Sequence, residues 1–175
     1  MYLKIDDLSP KPLCNFYPPQ SLLGSKNVVC VVHSGEQSPH QLLQNIIQIS
    51  GVKRCLLTAD VLSVKYNPTA DFSVLKAEVM AEIDDFIAEN NMPAEVINNA
   101  SLLDTAEALA DAFIRPTLNR DKGDININIT SPNVMELEFT GHCAGCPYAQ
   151  NTLQNIILKV FNRYLPQLDS ISLKG

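Results

Sequence analysis

Apolar and polar positions recur along this chain with two periods, and the changes between them mark out its elements. Met135, Leu137 and Phe139 alternate with Glu136 and Glu138, a period of two that predicts a half-buried strand. Ile125, Ile127 and Ile129 alternate with Asn126, Asn128 and Thr130 just before it, and Ser131-Pro132-Asn133 turns one run into the other. Downstream, Leu153, Ile156, Ile157, Val160, Phe161 and Tyr164 fall at helical spacing, with Pro147 suited to a first helical position and Pro166 beyond the end. Upstream, Leu102, Leu103, Ala106, Leu109, Ala110, Phe113 and Ile114 make a second helical stripe, opened by a capping box of Ser101 with Asp104. With a last strand over Leu168–Leu173, the order is α-β-β-α-β, enough for one three-stranded sheet under two helices.

The first half repeats the mixture in a different order. Residues 1–24 are rich in proline (Pro10, Pro12, Pro18, Pro19) and read as an extended edge strand and turns around Leu13–Tyr17. Val28–Val32 is a continuous β-branched run and predicts a buried strand. Ser38-Pro39 opens a helix carrying Leu42, Leu43, Ile46, Ile47 and Ile49, with Gly51 as its stop. Val52–Leu57 and Val61–Tyr66 are strands about a turn at Thr58-Ala59-Asp60. A second helix runs from Ser73 to about Asn90, with Leu75, Val79, Ile83, Phe86 and Ile87 inward. Its Glu78, Glu82, Asp84 and Asp85 form a solvated face and not a metal site. Asn90-Asn91-Met92-Pro93 through Asn98-Asn99 is a polar break. The fold class is therefore α+β in two small domains, expected at 1–92 and 101–175 with a linker at 93–100.

Charge and cysteine usage narrow the functions open to such a chain. The net charge of −6 argues against a nucleic-acid partner, and the acidic surplus divides evenly about Pro93. Apolar runs are short, so no membrane span is expected, and Met1–Asp7 has no apolar signal core. Five cysteines, an odd number, suit a reducing compartment, and a cytoplasmic protein is the expectation.

The chemistry concentrates in Gly141-His142-Cys143-Ala144-Gly145-Cys146-Pro147, where strand gives way to helix. Two thiols at a helix N-terminus are favoured as thiolates by unpaired N–H groups and the macrodipole. Gly141 and Gly145 allow tight backbone whose N–H groups can point at a bound anion. A tetrahedral zinc or an iron–sulfur cluster usually takes four protein ligands, and Cys143 with Cys146 supplies two. A two-fold dimer would complete the set by presenting the same patch twice. A thioredoxin-like redox pair is the rival, although a hairpin precedes the motif here in place of a βαβ start. A zinc-linked interaction module is another, and an incidental Cys-x-x-Cys the structural alternative. Cys14, Cys30 and Cys55 are scattered singly, and Cys30 and Cys55 lie in apolar runs as small buried hydrophobes. His142 points away from its neighbour on a strand, while His33 and His40 have no Cys or acidic partner at ligand spacing. No Ser/His/Asp set, phosphate loop or paired carboxylates can be assembled, so an enzyme is not expected.

A longer combination of residues points further. Ile114-Arg115-Pro116-x-Leu118-x-x-Asp121-x-Gly123-Asp124-Ile125, with Gly141-x-Cys143-x-x-Cys146-Pro147 and Thr152-Leu153, resembles the NifU C-terminal domain. Ser9-Pro10-Lys11-Pro12 with Phe16, then Ile49-x-Gly51-Val52, Asp60 and Val64-Lys65, resembles the Nfu N-terminal domain. Together they cover nearly the whole chain. The resemblance implies a scaffold and carrier that holds a [4Fe–4S] cluster between two chains of a homodimer and hands it to apo-proteins, after loading from an upstream donor. It puts Cys143 and Cys146 on the cluster ligands. Arg115, Pro116, Asp121, Gly123 and Asp124 fall on a motif read as structural, with aspartates capping the turn and Gly123 supplying a positive φ. Lys122 stands where the family has the first glycine of Asp-Gly-Gly-Asp, so glycine is not expected to be required there. Tyr148-Ala149-Gln150 replace the family's small hydroxyl residues, leaving Thr152 nearby, and Phe72 stands for a tryptophan before the last helix of the first half.

Overall fold

In the computed structural model, residues 3–24, 28–89, 97–120, 122–142 and 147–174 are described, with backbone alone at 147–152. The chain divides into two compact units, Met1–Ala100 and Ser101–Gly175, and each is α+β.

The first unit is a five-stranded antiparallel sheet. Its strands are β1 (Lys4–Asp7), β2 (Leu13–Tyr17), β3 (Val29–His33), β4 (Val52–Thr58) and β5 (Leu62–Tyr66), in spatial order β1-β2-β5-β4-β3. Two helices, α1 (Gln41–Gln48) and α2 (Phe72–Glu89), complete it. Period two sends Cys14 and Phe16, Cys30 and Val32, Cys55 and Leu57, and Leu62 and Val64 to the same side. There they form one core with Leu42, Leu43, Ile46, Leu75, Val79 and Ile83 of the helices. The expected edge strand is corrected: Leu13–Tyr17 lies inside the sheet, between β1 and β5. The edge is Lys4–Asp7, a polar run that gains its place by backbone pairing and has almost no apolar pattern to announce it. Ile49 is likewise extended and outside α1, because Gly51 at φ 92 turns the chain back and its missing Cβ admits Ala70.

The second unit follows the α-β-β-α-β order read from the sequence. Its first helical rod is α3 (Leu102–Leu109), a π-helical turn (Ala110–Ile114) and α4 (Arg115–Arg120). The Ser101 hydroxyl accepts the Asp104 N–H at 3.1 Å, as the capping box requires. The wide turn ends at Ile114, two residues before Pro116, whose ring would clash in an ordinary α-turn with the carbonyl four residues back. Strands β6 (Gly123–Ser131) and β7 (Val134–Gly141) form the predicted hairpin, with Asn133 left-handed at φ 66. Helix α5 (Pro147–Tyr164) then carries the chain to β8 (Ser170–Lys174), which pairs parallel to β7. The core holds Leu109, Ile114, Leu118, Ile125, Met135, Leu137, Phe139, Ile157 and Phe161. Among the described residues no helix is long and apolar enough to cross a membrane.

Candidate functional site

The link between β7 and α5 is shaped by the residues on either side of it. β7 ends at Gly141, opposite Gly123 at the start of β6. Gly141 has φ 66, and a Cβ there would stand 2.5 Å from the Lys122 carbonyl oxygen and 3.3 Å from the Gly123 Cα. Both obstacles are backbone, so only glycine fits without distortion. The same Lys122 carbonyl accepts the His142 N–H at 3.2 Å, so the exit from β7 is tied to the entry of β6. His142 itself is exposed.

Cys143 is the next residue, and Cys146 immediately precedes Pro147, which takes the first position of α5 as expected. Residues 143–146 lie outside the described residues, and with them both expected ligands, Cys143 and Cys146, and Gly145. Asp121 of the family motif lies outside them too. The neighbouring helix is 18 residues long, has no acidic residue in its first turn and carries Arg163 in its last. Its N-terminal field is therefore unopposed by local carboxylates on that helix and favours negative charge at that end.

Two expectations for the turn before β6 are corrected. The left-handed residue is Lys122, at φ 56, and not Gly123. Lys122 lies just past α4, where its N–H returns to the Asn119 carbonyl at 3.1 Å, the kind of helix-ending position that glycine usually fills. Gly123 already belongs to β6. The backbone thus does favour glycine at residue 122, and this chain holds a lysine there against that preference.

Arg115 fixes the same corner from within. It is 9 % exposed, and its Nη1 donates to Glu107 Oε2 at 2.6 Å and to Asp111 Oδ1 at 2.8 Å. Its Nε donates to Asp124 Oδ1 at 2.9 Å, and its Nη2 to the Ile125 carbonyl at 3.0 Å. Burial works against its charge, but the bonds and field of Glu107 and Asp111 outweigh this and raise its pKa. Asp124, already in β6, also accepts the Ile125 N–H at 2.8 Å. One guanidinium therefore joins the helical rod to the first residues of β6, next to the turn that meets Gly141. The structural role of Arg115 was legible in the motif. Its partners were not, since Asp111 and Glu107 lie outside the motif, one and two helical turns back.

The other three cysteines are poor candidates for ligands. Cys14, Cys30 and Cys55 are free and buried on the helix-facing side of the first sheet. Burial pushes the Cys14 thiol up to about 12 and the Cys30 thiol up to about 11, and raises that of Cys55 as well. They stay protonated, whereas a metal ligand must be thiolate. His40 is buried, with Nε2 3.1 Å from the Leu22 carbonyl and its ring against Phe86, a packing role. Among the described residues no group of three His, Cys, Asp or Glu is placed to hold a metal ion.

Comparison with known proteins accounts for both units. Residues 9–90 match the family model of the scaffold protein Nfu/NifU N terminal, and residues 107–172 match that of the NifU-like domain. The chain is 26 % identical over 181 residues to the NFU1 iron-sulfur cluster scaffold homolog, mitochondrial, of Drosophila simulans, covering 98 % of this chain and 64 % of that protein. The protein of that name in Drosophila sechellia gives the same figures. The chain thus spans 64 % of the length of these curated relatives. The solution NMR structure of a NifU-like protein from Saccharomyces cerevisiae covers 57 % of this chain and 87 % of its own, at 19 % identity and a TM-score of 0.43. The cytoplasmic expectation is corrected by the relatives, which are named mitochondrial. Free thiols report a reducing environment and do not say which compartment provides it.

Proposed function

The chain belongs to the Nfu type of iron–sulfur scaffold, an Nfu/NifU N-terminal domain followed by a NifU-like domain, and from that premise we propose what it carries and how. Its cargo is a [4Fe–4S] cluster held by Cys143 and Cys146 from each of two chains. The observation that carries this reading is the setting of the Cys-x-x-Cys link. The link leaves β7 through a glycine that has no room for a side chain, and it enters the N-terminus of an 18-residue helix. The three cysteines of the first unit are protonated in its core and do not compete.

Transfer is ligand exchange. Thiolates of an apo-protein displace Cys143 and Cys146 one at a time, and the helix field stabilises each thiolate as it is released. No bond of this protein's backbone is made or broken, and the carrier ends as it began, with its thiolates free. The first unit engages the apo-protein client, and an upstream donor loads the cluster. Anaerobic reconstitution with iron and sulfide, followed by iron, sulfide and zinc analysis, tests the cargo. The proposal expects about two irons and about two sulfides per chain, half a cubane each. Zinc alone would make the chain an interaction module, and a Cys143–Cys146 disulfide with no iron would make it a redox protein.

A further inference from the structure

Helix α1 is 8 residues long and α2 is 18, so α1 cannot cover α2 along its whole length. The Asn45 side-chain amide of α1 donates to Glu82 Oε2 of α2 at 2.8 Å, and α1 then ends at Gln48. The chain turns back through Gly51. Between that turn and the start of α2 lies a cleft of about 610 Å³, with Ile49, Ala70 and Val74 in its lining. A second cleft, of about 440 Å³, continues along α2 to Ala81 and Glu82. The two share Gln48, Ile49, Ser50 and Glu78, so they form one groove, built from residues of the first unit. Asp71, Val74, Glu78 and Glu82 follow at intervals of three, four and four positions, a single stripe along α2 and the residue before it. Asp71 Oδ1 accepts the Ser73 and Val74 N–H groups at 3.0 and 3.3 Å, which fixes Val74 in the first turn. Val74 is 54 % exposed, whereas Leu75 and Val79 on the neighbouring face are buried. The groove therefore presents an apolar strip to water, with the carboxylates of Asp71, Glu78 and Glu82 set against the Lys53 ammonium.

We propose that this groove docks a basic segment of a partner protein, with one apolar side chain on Val74 and Ile49 and lysine or arginine on either side. An acidic rim about an apolar strip is complementary to that chemistry and repels an acidic segment. From Asp71 to Glu82 the stripe runs roughly 16 Å, a length that roughly five residues of extended chain would cover. The net charge of −6 draws such a segment in from solution. The proposal rests on the client-docking role given to the first unit, and it names the kind of segment a client would present.

Fluorescence anisotropy of a short labelled peptide, a leucine between two pairs of lysines, tests it on the full apo chain. Two control peptides carry glutamates for the lysines or serine for the leucine. The parent should bind the lysine peptide, more weakly as salt is raised, and bind each control roughly fivefold more weakly or worse. Glu78→Lys and Val74→Ser should each weaken binding of the lysine peptide by roughly fivefold or more. Both positions are exposed, so neither change disturbs the core. Asp84→Lys, on another side of α2, should stay within about twofold of the parent. No binding by the parent, or equal binding of the glutamate peptide, would overturn the proposal. So would an equal loss in Asp84→Lys, which would make the attraction one of net charge alone. An apo dimer that Val74→Ser dissociates would overturn it too, by making the occupant a second copy of this chain. Peptide binding is read on the apo chain and transfer to a client on the loaded one. A groove without its ligand and a first unit without a docking role therefore give different results.

Discussion

Two left-handed residues meet at the corner before the cysteines, and they should answer oppositely to substitution. Gly141→Ala puts a methyl group 2.5 Å from a backbone oxygen at φ 66, and should destabilise the second unit by about 2 kcal/mol or more. Lys122→Gly relieves a left-handed lysine, and after the added freedom of the unfolded chain it should stabilise by about 0.5–1 kcal/mol. Urea midpoints at constant slope check both. The buried thiols make a prediction in pH. In the folded chain Cys14 is pushed up to about 12 and Cys30 to about 11, from an ordinary 9.0. Above that ordinary value the unfolded chain gives up these protons while the folded chain keeps them. The unfolded state then binds fewer protons, so stability falls as pH rises from 9.0 toward the folded values, and nothing is lost below that range. Cys14→Ala removes its share of this dependence. The stability gap between parent and variant should narrow between about pH 8 and about pH 10.5. A gap that widens would show Cys14 ionised in the fold.

The link most exposed to a single change among the elements is the one Arg115 makes between the helical rod and β6. Arg115→Ala leaves Glu107 and Asp111 together without their cation, and should cost about 3 kcal/mol, a buried ion pair broken from one side. Arg115→Lys keeps the charge but lacks the planar fork that reaches Asp124 and the Ile125 carbonyl as well, and should recover only part of the loss. Thermal unfolding of the three proteins orders them. The regular elements of both units were legible because periods of two and 3.6 survive in Ile125–Ile129, Met135–Phe139 and Leu153–Tyr164. What was not legible has no period. Lys4–Asp7 became a strand by pairing with β2, and the π-helical turn answers the proline that follows it. The left-handed residue fell at Lys122 because α4 had to end there. The setting of the cysteine link could be read from adjacency alone, a strand before it and Pro147 after it, whereas the Gly141 approach to Lys122 needs the register of β6 on β7.

At the scale of the whole molecule, each unit has its own core, with Phe16, Ile46 and Ile83 in one and Leu109, Leu137 and Phe161 in the other. We propose that a fragment from about Ala94 onward folds and takes up a cluster by itself. Transfer to a client should then weaken for want of the first unit, and equal rates for fragment and full chain would remove the docking role given to it. The central claim is that cluster and dimer form together. Each chain brings two thiolates and a [4Fe–4S] cluster takes four ligands, so binding must favour the dimer by linkage. Replacing one cysteine removes a ligand from each chain, two of the four at once. Size-exclusion chromatography of apo protein, reconstituted protein and reconstituted Cys146→Ala, with iron counted in every peak, measures this directly. The account predicts iron only in a dimer peak, at about two per chain, and an iron-free Cys146→Ala that elutes with the apo protein. A monomer peak carrying about four irons per chain would contradict it.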